Sequence, residues 1–122
     1  MMMETAGGPE RLKSGMFSDR DRIHKGSGEA ILYRAEDGSH LLRLENLNVT
    51  NGPDLHVLLS PHPTPDNREE VKAPGYFSLG PLKGNRGNQN YPIPADQDPS
   101  SIGSVIIYCV PFQVIFTIAP LS

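Results

Sequence analysis

Short apolar runs recur along the chain with turn-forming residues between them. Gly15-Met16-Phe17, Ala30-Ile31-Leu32-Tyr33, His40 to Leu47 and Leu55 to Leu59 are each of strand length. In Asp54-Leu55-His56-Val57-Leu58-Leu59, a period of two puts Leu55, Val57 and Leu59 on one face and His56 and Leu58 on the other. Leu42 and Leu44 alternate with Arg43 and Glu45 in the same way. Asp37-Gly38, between Tyr33 and Leu41, is a hairpin signal that makes its flanking strands antiparallel. Asn51-Gly52-Pro53 is a second turn cluster, and Pro61, Pro63 and Pro65 make the segment from Pro61 to Asn67 a loop. Gly75 to Leu82 reads as a short strand and Lys83 to Asn90 as a Gly/Asn loop open to positive φ. Asp98 followed by Pro99 fits an N-cap and first helical position, so one helical turn leads into Ser104–Cys109.

The two ends of the chain differ from this rhythm. Asp98 is the last charged residue, and Val105 to Leu121 is nearly all apolar. A membrane helix needs about 20 apolar residues and tolerates a central proline poorly. Pro111 stands mid-run, Gln113 lies beside it, and Val and Ile dominate, so two buried strands joined at Val110-Pro111 fit better than a membrane span. Residues 1–13 are polar and aperiodic and read as a disordered lead-in, with a single β domain over 14–122. Met1 to Ser14 lacks the apolar stretch of a secretory signal, so either the protein is cytoplasmic or its export segment lies outside this chain. About eight short strands and at most one short helical turn predict an all-β antiparallel sandwich or flattened barrel.

Composition narrows the chemistry. A chain of 122 residues is one domain, and 12 Gly with 12 Pro make it turn-rich without reaching the composition of disorder. The net charge of −3 leaves no excess of cations for phosphates, which excludes nucleic acid as a partner. One cysteine excludes an intramolecular disulfide and any multi-thiolate metal cluster.

That cysteine, Cys109, shares a strand face with Val105 and Ile107, opposite Ile106 and Tyr108. Periodicity favours a buried thiol acting as a small hydrophobe. A redox thiol or ligand would need a nearby cation, which the neighbouring sequence does not supply. The histidines His24, His40, His56 and His62 show no tight metal-ligand spacing. Asp54 and His56 do fall on one strand face, but no metal site follows from two such groups. No glycine elbow accompanies any cysteine–histidine pairing, so no catalytic residue is assigned. Lys83-Gly84-Asn85-Arg86-Gly87 does not open a helix and reads as a connecting loop rather than a phosphate cradle.

Several blocks together resemble the electron-transfer DM-thirteen domain family. They are Asn51 to Ser60, Leu79 to Pro94, Ser104 to Cys109 and Ala119-Pro120-Leu121, preceded by Ser14 to Phe17 and His24 to Ala30, in the family's order over about residues 14–121. The resemblance implies a small β-sandwich module, in some members joined to DOMON and b-type cytochrome domains in Skeletor-like proteins. Bacterial members are usually secreted or membrane-anchored, which implies a place outside the cytoplasm, periplasmic or extracellular. The family's signature cysteine falls on Cys109, as a bare thiol or as a ligand to a prosthetic group such as haem. Tyr108 stands where Trp is common, and Pro111 where a basic or polar residue is more usual. Gly52, Pro53 and Asp54 match fully and imply a fixed turn, with Asp54 accepting backbone N–H bonds.

The expected function is a redox or electron-transfer module without turnover of its own, meeting a redox or cell-surface protein partner. Cys109 and Tyr108 are its candidates, with His24, Asp54 and His56 in support. The alternative is a structural or protein- or glycan-binding module with Cys109 in the core and the loops Pro61–Pro74 and Lys83–Asn90 as its contact surface. A peroxide-reducing enzyme would require a sulfenic acid at Cys109 and turnover.

Overall fold

The computed structural model describes residues 9–122. Eight strands form two four-stranded antiparallel sheets. The strands are β1 (Glu10–Met16), β2 (Gly26–Arg34), β3 (His40–Val49), β4 (Leu55–Ser60), β5 (Phe77–Pro81), β6 (Arg86–Ile93), β7 (Ser104–Cys109) and β8 (Val114–Pro120). One sheet has the order β1-β2-β3-β6 and the other β5-β4-β7-β8. At one edge Ser14 and Ser122 exchange two backbone hydrogen bonds, of 3.1 and 3.0 Å, which tie β1 to the chain beyond β8.

The alternation expected in β4 and β7 is what builds the core. Leu55, Val57, Leu59, Val105, Ile107 and Cys109 face inward onto Ala30, Leu32, Leu42, Leu44, Tyr91 and Ile93 of the first sheet. The other faces are not left to water: Leu58, Ile106, Tyr108, Ile115 and Ile118 pack with Val71 of a helix, α1 (Arg68–Lys72). Every residue of β7 is therefore buried. A strand covered on both faces needs a continuous apolar sequence, which accounts for the charge-free tail. Among the described residues no helix is long and apolar enough to cross a membrane.

The hairpin at Asp37-Gly38 joins β2 to β3, with Gly38 at φ +88°. Asp98 caps a 3-10 turn at Pro99–Ser101 by accepting the Ser100 N–H at 2.9 Å. Three expectations change. The first strand starts at Glu10, so residues 10–13 are not lead-in; those before residue 9 lie outside the described residues. The polarity of residues 10–13 reflects an edge position, where Glu10 pairs with Arg34 and Arg11 with Glu29 on β2. The segment Lys83 to Asn90 is not all loop: β6 begins at Arg86, its Gln89, Tyr91 and Ile93 buried and its Arg86, Asn88 and Asn90 exposed beside β3. Besides the 3-10 turn there is a second short helix, α1, capped by Asn67 Oδ1 on the Glu70 N–H at 2.9 Å. With Val71 its one buried residue, five residues show no helical period.

Candidate redox site around Cys109

Cys109 ends β7, where the strand runs out to the rim of the sandwich. Its side chain is 1% exposed and belongs to the main core. The sulfur donates to the Pro53 carbonyl oxygen at 3.2 Å, a contact across 56 positions of sequence. Asn51 to Asp54 forms the turn before β4, and the Asp54 carbonyl accepts the Val110 N–H at 3.3 Å. The cover over the thiol is therefore one turn, stitched to the residue after the cysteine.

The residues of that turn are dictated by the fit. A Cβ at Gly52 would come within 2.5 Å of the Phe116 ring. Asp54 sits at φ +50°, in the left-handed region where Asp is among the better tolerated side chains. Gln113, in the β7–β8 connection on the far side of Cys109, lies at φ +54°.

Asp54 does not cap the turn with its carboxylate. Its Oδ1 faces His56 Nε2 at 2.9 Å, and the other ring nitrogen, Nδ1, lies 3.4 Å from Ser78 Oγ. His56 is directly opposite Tyr108 in the β4–β7 register. Tyr108 points away from the thiol into the cluster beneath α1. Its hydroxyl is buried without a protein partner, and burial pushes the phenol above its ordinary value, with Tyr76 adding to the rise.

His24 is held elsewhere on the same rim. Its ring packs edge-on against Phe116, with centroids 4.7 Å apart, and its Nδ1 lies 2.9 Å from Asp21 Oδ2. The His24 ring, followed by the backbone N–H groups of His24 and Ile23, holds the Asp21 carboxyl down to about 2. The fold thus brings Asp54, His56 and Tyr108 together on the outer side of β4 and β7 and leaves Cys109 on the inner face, beneath the turn that Asp54 ends. His24 joins them through Phe116, which the core places beside Gly52. Pro53 as the sulfur's acceptor had no local signal, because a turn and a strand end 56 positions apart meet only in the folded sandwich.

A family model described as Electron transfer DM13 matches residues 16–121. The chain belongs to this family. The match runs from the last residue of β1 past the end of β8, so this DM13 domain accounts for nearly all of the sandwich. No curated protein and no solved structure matches the chain. Membership makes it an electron-transfer module, and the residues of the DM13 resemblance, Gly52, Pro53, Asp54 and Cys109, meet at one place in it.

Haem ligation by Cys109 does not fit this packing. The sulfur is enclosed by the core and engaged with Pro53, and none of five surface clefts has Cys109 in its wall. A macrocycle would have to displace the turn and the aliphatic side chains beneath it. A group of three or more His, Cys, Asp or Glu side chains able to hold a metal does not occur among the described residues.

Proposed function

We propose that this domain is a redox module without turnover of its own, whose working group is the bare thiol of Cys109 under a removable turn. The observation that carries the reading is convergence: Gly52-Pro53-Asp54 and Cys109 are far apart in sequence and form one capped unit. A thiol buried merely as filler needs no such unit. Thiol chemistry proceeds through the thiolate, so the Pro53 contact breaks before Cys109 reacts. The reading carries an extracytoplasmic setting and a protein redox partner, both resting on the family resemblance.

The test is exchange with oxidised glutathione at neutral pH on the intact protein. The Cys109 thiolate attacks the disulfide, forming one mixed disulfide and releasing one reduced glutathione. Mass spectrometry should show one adduct per chain that forms and reverses across glutathione buffers while the protein stays folded. An intact protein that gives no adduct, while its unfolded form reacts, would overturn the reading. The second reading, a structural module with Cys109 as core, is favoured by the 1% exposure of the side chain. It would then prevail.

A further inference from the structure

A cleft of about 570 Å³ opens on the first sheet beside the turn that covers Cys109. Ser27 is directly opposite Asn48, and Asn48 directly opposite Arg86, so three neighbouring strands present one row of side chains. All three are exposed. With strands about 4.8 Å apart, this row of hydroxyl, carboxamide and guanidinium spans roughly 10 Å. Lys25 and Asn51 add a further cation and carboxamide to the wall.

The concavity has a backbone cause. Register shifts fall between Ser27 and Glu29 in β2 and between Leu44 and Leu47 in β3. Gly28, at φ +113°, lets the strands approach so closely that a Cβ there would lie 2.8 Å from the Glu45 carbonyl oxygen. Such bulges bend a strand and re-aim its side chains.

Part of the polar lining of this cleft is engaged within the chain and part is not. Asp19, its one carboxylate, is taken up by the Gly26 N–H at 2.9 Å and by Lys25 Nζ at 3.8 Å, and Asn85 Nδ2 by the Val49 and Thr50 carbonyls at 3.3 Å each. Among the described residues, the side chains of Ser27, Asn48, Asn51 and Arg86 make no hydrogen bond or ion pair. Two cations against one carboxylate select an anion, and a guanidinium fork matches an oxyanion in two-pronged fashion. No aromatic ring lines the cleft, so recognition rests on charge and hydrogen bonds.

We propose that this cleft binds an anionic, hydroxylated small molecule of the acidic-sugar class, its oxyanion on Arg86 and its hydroxyls on Ser27, Asn48 and Asn51. The proposal is independent of the redox reading. The test is amide and side-chain NMR of the full chain titrated separately with glucuronate, glucose 6-phosphate, glucose and inorganic phosphate. Saturable shifts at Ser27, Asn48 and Asn51 are expected with at least one acidic sugar, and which one responds tells carboxylate from phosphate. Glucose and inorganic phosphate should each bind at least about tenfold more weakly, and Arg86→Gln should weaken the acidic sugar by about tenfold or more, the scale of one charge-assisted hydrogen bond. Lys72→Gln, the same charge change on α1, should leave affinity unchanged. Glucose or inorganic phosphate binding as tightly as the acidic sugars, indifference to Arg86→Gln, or no saturable shift with any probe would overturn it.

Discussion

The hydroxyl of Tyr108 and the thiol of Cys109 are neighbours in sequence with opposite fates. The thiol, on the inner face, has a carbonyl acceptor; the phenol, on the outer face, is buried with no protein partner. An unpaired buried hydroxyl costs about 1–3 kcal/mol relative to a paired one. Tyr108→Phe removes that cost while keeping the ring, so we expect stability unchanged or raised by up to about 1 kcal/mol in urea unfolding. A loss of more than about 1 kcal/mol would show that the hydroxyl is satisfied in solution. At Asp21 the charge is satisfied by the His24 ring and two backbone N–H groups. A carboxyl depressed from 3.8 to about 2 contributes stability that is fully present above its unfolded value and is lost as pH falls through about 2. Unfolding midpoints should therefore drop between about pH 4 and pH 2 in the wild type, and Asp21→Asn should flatten that part of the profile. The faces of Tyr108 and Cys109 followed from the period of two. Their partners did not, because the Cys109–Pro53 contact and the Tyr108 environment are made by elements distant in sequence.

Among the elements, the turn before β4 carries the most information per residue. Sequence alone marks Asn51-Gly52-Pro53 as a turn, but not why glycine stands at its centre. The reason lies in β8: Phe116 fills the space that a side chain at position 52 would need. Gly52→Ala forces the ring or the turn to move, a misfit that costs about 1–3 kcal/mol when a packed site cannot yield. Since the same turn covers Cys109, we expect the substitution both to lower the unfolding midpoint and to speed maleimide labelling of Cys109 in the native state. Lower stability with unchanged labelling would mean that the ring yields and the cover stays. The strand β6 was obscured for a related reason. Its Gly and Asn content suits a loop, yet pairing with β3 and the burial of Gln89, Tyr91 and Ile93 override that preference. Tyr91 donates to Gln89 Oε1 at 2.6 Å and accepts the Lys83 N–H at 2.8 Å, so the polar residues of this strand are satisfied inside the sandwich.

At the scale of the molecule, the charge-free tail, the buried β7 and the concealed thiol share one cause. The second sheet is covered by the first on its inner face and by α1 with its flanking loop on the outer. Such a strand reads as a membrane candidate by hydropathy and is told from one by its proline and its β-branched residues. The same double burial raises the question of how a redox thiol is reached at all. Every residue of β7 is buried, whereas the cover from Asn51 to Asp54 has three exposed residues and is held at the strand end by a weak S–H donor, 3.2 Å from the Pro53 oxygen, and a long backbone bond of 3.3 Å at the Val110 N–H. Segments with few buried contacts and weak hydrogen bonds open locally, at a free energy below the global one. Labelling of native Cys109 by maleimide should therefore vary with urea far less steeply than global unfolding, whose slope is about 1–3 kcal/mol per molar urea for a small protein. A slope equal to the global one would place the thiol inside the cooperative core, reachable only by unfolding. In that case the bare-thiol reading fails, and Cys109 works as a packing residue.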